Sequence, residues 1–186
     1  MDARAQRSFG RLSAAVLELA AHGAPETLSV AEVARTAGVH RSTFYEHSES
    51  PSALLRAVLR GELDEARERH LGGGGDRDWA AAVRATTLEV LAHLERHRAV
   101  YLRSLGSPTD GTLRTLLSEH FHASILLLAE RGALRSPVAD VDLVARYVAE
   151  GTAGALSVWL TREVRDADDF LVAFARLVPS WWPLSA

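Results

Sequence analysis

The chain is expected to be all-α, and three features of the sequence predict it. Apolar residues recur at three- and four-residue intervals through most of its length, the repeat of an amphipathic helix. No stretch sustains the period-two alternation of a half-buried strand, so no sheet is expected. Stop signals at Gly23-Ala24-Pro25, Gly38, Gly132 and Ser136-Pro137 cut the pattern into about nine helices of ordinary length.

The first helix spans Arg4 to Ala21, with Phe9, Leu12, Val16, Leu19 and Ala20 on one stripe. A short second helix opens at Ser29, because Ser29-Val30-Ala31-Glu32 has the reciprocal capping pattern of a hydroxyl at the cap and a carboxylate three residues on. Val30, Val33, Ala34 and Ala37 make its inner face. Gly38 then supplies the positive φ of a tight turn. Val39 is an apolar plug, and His40 to Tyr45 open a third helix pinned inward by Phe44. Ser50 caps a fourth helix with Pro51 at its first position. Leu54, Leu55, Val58, Leu59 and Leu63 form its stripe, and the charge run from Glu62 to Arg69 is expected to be a solvated face with internal ion pairs. Gly72-Gly73-Gly74-Gly75 lacks the Lys-Ser/Thr of a phosphate-binding loop and follows no strand, so it reads as a flexible connector.

A fifth helix is expected from Asp78 to Arg96, a short sixth around Tyr101, Leu102 and Leu105, and a loop at Gly106-Ser107-Pro108. The seventh runs from Leu113 to Ala129, with Leu116, Leu117, Phe121, Ile125 and Leu128 inward. The eighth, Val141 to Val164, is apolar on more than one side. The ninth begins at Asp166-Ala167-Asp168-Asp169 and turns Phe170, Leu171, Phe174, Leu177 and Val178 inward.

A short helix, a glycine turn and a second helix with a polar outer face form a helix-turn-helix, whose second helix suits a DNA major groove. At Val30, Val33-Ala34, Ala37-Gly38-Val39, Thr43-Phe44-Tyr45, His47 and Leu54-Leu55 the chain resembles the TetR (tetracycline-repressor-like) transcriptional regulators. The likeness covers about the first third of the chain, with one helix before the motif as in that family. Two positions depart from it: the family often has an aromatic residue where this chain has Ser48, and a phosphate-contacting lysine where it has Pro51.

The resemblance implies a helix-turn-helix DNA-binding domain at residues 1–50 and a helical effector-binding and dimerisation domain at 51–186. The expected DNA contacts are Thr27 and Ser29 at the start of the first motif helix, His40, Arg41, Ser42 and Thr43 in the first turn of the second, and Tyr45 and His47 beyond. Arg41 has the fork that reads guanine, and Thr43 has a methyl group for thymine. Tyr45 and His47 are assigned to phosphates by resemblance. Arg4, Arg7 and Arg11 lie near the start of the first helix, where they either touch phosphates or form a solvated helix end.

Composition bounds the alternatives. The 186-residue chain is 47% hydrophobic, enough for a real core, and has no cysteine, which excludes disulfides, thiolate metal sites and a cysteine nucleophile. No apolar run is long enough for a membrane span and the first residues lack a secretory core, so a cytoplasmic protein is expected. The net charge of −3 does not advertise nucleic-acid binding, so positive charge has to be placed locally. No Gly-x-Ser-x-Gly and no catalytic carboxylate pair is present, so neither enzymatic activity nor a cofactor is expected.

An effector cavity needs apolar walls with a few polar groups. His97, Tyr101, Phe121, Ser124, Tyr147 and Trp159 are the candidates, although ordinary core packing accounts for each equally well. Together they favour a small, largely apolar molecule. The two-sided eighth helix and the face of the ninth call for a second copy, with Val148, Thr152, Leu156, Phe170 and Phe174 at the interface. Paired recognition helices roughly 34 Å apart would read two half-sites of a palindromic operator. His93 and His97 have a metal-compatible spacing, but Glu95 between them does not complete His-Glu-x-x-His, and His120 and His122 face different sides, so no metal is expected. The sequence therefore describes a homodimeric regulator, expected to be a repressor released by its effector. The alternative is a small-molecule-binding or metal-dependent helical protein without a DNA function.

Overall fold

The structure, a computed structural model, describes residues 3–73, 77–105 and 112–184, with backbone alone at Leu105 and Thr112. Among the described residues there are nine α-helices and no strand: α1 (Ala3–His22), α2 (Val30–Ala37), α3 (Arg41–Tyr45), α4 (Pro51–Leu71), α5 (Trp79–Arg96), α6 (Arg98–Leu105), α7 (Thr112–Glu130), α8 (Val141–Thr161) and α9 (Ala167–Leu177). A single 3-10 turn, Pro25–Thr27, separates α1 from α2. Gly74 and Gly75 of the expected connector, and the expected loop at Gly106-Ser107-Pro108, lie outside the described residues. No described helix is long and apolar enough to cross a membrane.

Local chemistry explains the helix ends. Asp140 accepts from the Leu143 amide and starts α8; Asp166 accepts from the Asp169 amide and starts α9. The eighth helix stops at Thr161 rather than Val164. Arg162 is already extended, and Arg165 is drawn off by two 2.8 Å hydrogen bonds to the Glu95 carboxylate. Those bonds also raise the Arg165 pKa.

The chain forms two compact units, Met1–Gly61 with His97–Leu113, and Glu62–Arg96 with Arg114–Ala186. The unit holding the helix-turn-helix thus extends past residue 50, taking in the start of α4 and also α6. Arg103 Nε of α6 donates to the Ala21 carbonyl at the end of α1, 3.1 Å away. This unit buries Leu12, Val16 and Ala20 of α1, Val33, Ala34 and Ala37 of α2, Phe44 of α3, Leu54, Leu55 and Leu59 of α4, and Val100 and Tyr101 of α6.

In the second unit Leu71, Val83, Ile125, Leu128, Leu134, Ala145, Val148, Ala149 and Trp182 form one buried cluster. Its surface carries a correction to the expected charge run on α4. Asp64 and Arg67 do pair within the helix at 2.7 Å, but Arg69 and His70 both reach Glu89 of α5, and Glu62 reaches His93 and Arg96 of α5. Those charges join two helices because α4 and α5 run side by side in opposite directions. Burial alone would raise the Glu89 pKa, but the hydrogen bonds from Arg69 and His70 outweigh it and hold the carboxyl below its usual value.

Candidate nucleic-acid interface and effector cavity

The helix-turn-helix is built from three local devices. Ser29 Oγ accepts from the Glu32 amide at 3.2 Å while Glu32 Oε2 accepts from the Ser29 amide at 3.0 Å, so the expected capping box is present. Ser29 Oγ also donates to Glu32 Oε2 at 2.7 Å, and these bonds hold the Glu32 carboxyl below its usual range. Gly38 closes α2 in the left-handed region at φ 61°, and Arg11 of α1 donates to its carbonyl at 2.8 Å. Phe44 is fully buried, which fixes the rotation of α3 about its axis.

That rotation leaves His40, Arg41, Ser42 and Tyr45 exposed and Thr43 half-buried. Two other expected contacts are otherwise engaged. The Ser29 hydroxyl belongs to the capping box, and Thr27 Oγ1 donates to the Ala24 carbonyl at 2.8 Å, leaving each only its lone pairs and its neighbours' amides to offer. His47 is turned toward α1. Ser8 Oγ donates to the Ala5 carbonyl and so accepts from His47 Nε2 at 2.8 Å, and the ring lies 5.7 Å from that of Phe9. It therefore braces the end of α3. Pro51 is buried at the start of α4, and the Ser48 hydroxyl bonds the Ser50 carbonyl.

Alongside the exposed turn runs a polar groove of about 530 Å³, lined by Arg4, Arg7, Arg11, Val39, His40 and Thr43 among others. The three α1 arginines, spaced on one helical face, thus share a surface with the first turn of α3. Among the described residues, Glu46 alone brings a carboxylate to that groove.

The second unit holds a small, almost wholly apolar cavity of about 30 Å³. Leu71, Val83, Phe121, Ile125, Leu128, Phe174 and Trp182 supply its apolar wall, and Thr86, Thr87, Ser124 and Thr152 its polar atoms. Each of these four hydroxyls donates to the carbonyl four residues back, so toward the cavity it presents lone pairs. Of the six residues expected to line an effector site, Phe121 and Ser124 are here. His97 and Tyr101 are buried in the other unit. Trp159 packs edge-on against Phe170 and donates to the Asp166 carbonyl at 3.3 Å. Tyr147 is 75% exposed and points away from the core, because it lies opposite the buried Ala145, Ala149 and Leu156 on α8. Thr86, Thr87 and Trp182 were not among the expected lining residues. The signal available was a pair of threonines on an otherwise apolar stripe, whose hydroxyls the helix itself satisfies.

The histidines separate by environment. His122 lies near the surface and bonds Asp142 at 2.7 Å; His93 is buried with Nδ1 3.0 Å from Glu62. His120 is buried with neither ring nitrogen hydrogen-bonded, its ring edge-on to Phe121. Burial first, and then the positive charges of Arg67 and His93, lower its pKa to about 3, so the ring is neutral at pH 7.

The expected interface residues Val148, Thr152, Leu156 and Phe174 are buried inside the chain's own core. They form the inner faces of α8 and α9, as the hydrophobic pattern alone cannot tell which of two apolar faces a chain covers itself. The uncovered apolar residues are Leu143, Tyr147 and Val158 on α8 and Val172 and Leu177 on α9. A groove of about 700 Å³ runs along Leu143, Tyr147 and Leu177 past Gly151, at which an added Cβ would meet nothing.

No protein-family model matches the chain, and no curated protein sequence matches it. Many solved structures do share its architecture. The activator of a dihydroxyacetone kinase operon, DhaS, superposes with a TM-score of 0.68 at 14% identity, over 91% of this chain and 93% of that one. A TetR-family transcriptional regulator from Streptomyces coelicolor gives 0.61 at 19% identity, over 95% and 83%. A gamma-butyrolactone receptor (ArpA-like protein) gives 0.52 at 19% identity, over 96% and 91%. What is shared at these identities is the fold. The nine helices with a helix-turn-helix at α2–α3 have the architecture of the TetR-family transcriptional regulators.

Proposed function

We propose that this chain is a homodimeric DNA-binding transcriptional regulator of the TetR type, a repressor released from a palindromic operator by a small, largely apolar effector. The observation that carries the reading is the first turn of α3. His40, Arg41 and Ser42 are exposed while Phe44 is fully buried behind them, between a capped α2 and the left-handed Gly38. A rigid, short helix with an exposed polar N-terminal turn is what base-edge readout requires. Arg41 reads guanine and Thr43 contacts a thymine methyl; the α1 arginines and Tyr45 meet phosphates. The amides at the starts of α2 and α3 add to that phosphate contact near Thr27, Ser29 and His40.

The second copy covers the exposed sides of α8 and α9. Five large apolar side chains left in water on these two helices, with Leu143, Tyr147 and Leu177 along one groove, favour an interface there, and Gly151 permits close approach of a partner backbone. The effector occupies an enlarged form of the cavity around Phe121 and Ser124. By binding one conformation of the dimer more tightly, it shifts the population away from the one that fits both half-sites. DhaS is described as an activator, so the shared fold is compatible with either sign of regulation.

The test is fluorescence anisotropy with the DNA upstream of the protein's own gene, at several salt concentrations. Binding that weakens steeply with salt is expected, and Arg41→Ala should cost roughly 1–3 kcal/mol, about tenfold to a hundredfold in affinity. Absence of salt-dependent binding, or an Arg41→Ala protein that binds like the original, refutes the reading.

A further inference from the structure

His120 has a strong environment and no task in the reading so far. It is 4% exposed, and both ring nitrogens lack a partner. A buried polar group without a partner is unfavourable, and so marks a place where a partner is missing. Its charged neighbours are cationic: Arg67 from α4 and His93 from α5 both act on the ring. The carboxylates that pair with those two neighbours are engaged, Glu62 with His93 Nδ1 at 3.0 Å and Arg96 at 3.1 Å, and Asp64 with Arg67 at 2.7 Å.

The cavity starts close by on each of these helices. Ser124 follows His120 by four residues, Leu71 follows Arg67 by four, and Thr86 precedes His93 by seven, so each pair shares a helical face. The cavity's own hydroxyls give their protons to backbone carbonyls and present only lone pairs to anything inside. His120, Arg67 and His93 stand one or two turns beyond the cavity's lining, so an anionic group on a ligand that reaches past the wall meets donors there and none among those hydroxyls.

We propose that the effector is a small monocarboxylic acid with an apolar body, its carboxylate bound by His120 beside Arg67 and His93 and its body in the cavity among α4, α5, α7 and α8. The carboxylate supplies the acceptor that the neutral His120 ring lacks, and the positive charge of Arg67 attracts the bound anion. A cavity of about 30 Å³ holds roughly two waters, so the apolar body has to open it, and the half-buried Phe121 at its edge is the side chain that yields. This inference rests on the effector-site reading above and narrows it to one ligand class.

The experiment is calorimetric titration of the full chain with the straight-chain acids from butanoate to decanoate and with the matching alcohols. At least one acid should bind roughly tenfold or more tightly than its alcohol, the strength of a charge-assisted hydrogen bond. His120→Leu should remove that advantage by weakening the acid far more than the alcohol, and His120→Gln, which keeps a donor, should restore part of it. Should His120→Leu fail to fold, Arg67→Met at a partly exposed position carries the same expectation. In histidine-labelled protein, the His120 ring resonances should shift with the acid and not with the alcohol. The proposal is overturned if no acid binds more tightly than its alcohol, or if the advantage survives His120→Leu. Operator release is read separately. An acid that binds through His120 without releasing DNA overturns the effector-release reading and leaves the acid site standing. Release by an alcohol with no preference for acid does the reverse.

Discussion

Replacing His120 by leucine tests the energetic consequence of a buried, unpartnered imidazole. At pH 7 the change removes two unsatisfied polar atoms and keeps a similar volume, so the variant should be as stable as the original or more so, by up to about 1–3 kcal/mol. The larger effect lies in the pH dependence. The folded pKa of about 3 lies below the ordinary 6.5, so between these values the unfolded chain binds a proton that the folded chain refuses. Stability from this side chain is thus complete above pH 6.5 and is lost as the pH falls toward 3. Each pH unit in that window costs about 1.4 kcal/mol, or about 2 kcal/mol between pH 7 and pH 5. The charged groups around the ring, Arg67, His93 and Glu62, are common to both proteins, so the difference between them isolates His120. Equilibrium urea denaturation at pH 7 and pH 5 gives the four free energies required. His120→Leu should lose about 2 kcal/mol less than the original on acidification. Equal losses in the two proteins would mean that His120 is solvated or paired when folded, and the acid-binding argument would fall with it.

Three further outcomes follow from the same geometry. Gly38→Ala puts a side chain into the left-handed region and presses a Cβ to within 2.3 Å of Arg11 Nη2; because that arginine tip can move, the expected loss is the backbone strain alone, about 1–2 kcal/mol by thermal denaturation, and no loss would deny the turn its conformation. Ser29→Ala removes half of the capping box and should cost about 1 kcal/mol, while an unchanged melting temperature would show that the cap contributes nothing. Tyr147→Glu places a charge on the exposed apolar side of α8; sedimentation should show a monomer of nearly unchanged stability, and a persisting dimer would move the interface elsewhere.

The sequence made the helix-turn-helix legible because its signals are local. The capping pair Ser29 and Glu32, the turn at Gly38 and the plug at Phe44 lie within sixteen residues and need no distant partner. Helix ends were legible for the same reason, and where one was misplaced, at Thr161, the cause was a long-range bond from Arg165 to Glu95 that periodicity does not encode. The residues that line the candidate cavity were less legible. Tyr147 and Ser124 both sit on apolar helices with similar surroundings in sequence, yet one is exposed and the other buried. A helix that is apolar all round announces that it is covered, but not by which neighbour. For α8 the chain covers the side of Val148 and Thr152 itself and leaves that of Leu143 and Tyr147.

The acidic balance of the chain and its proposed partner are reconciled by position. A net charge of −3 acts over the whole surface, whereas salt limits its reach to about 8 Å under physiological conditions. What a phosphate meets is therefore set by the groups beside the recognition turn. There α1 brings Arg4, Arg7 and Arg11 to the groove shared with His40 and Thr43, against, among the described residues, the one carboxylate of Glu46. Glu32 is committed to the capping box, where its charge neutralises an orphaned helix amide instead of facing the groove. Arg11 likewise spends one nitrogen on the Gly38 carbonyl, which ties α1 to the turn and fixes the arginine row relative to α3. Removing Arg11 would thus both lower the local charge and loosen the turn, whereas Arg7, outside that bond, offers its charge alone.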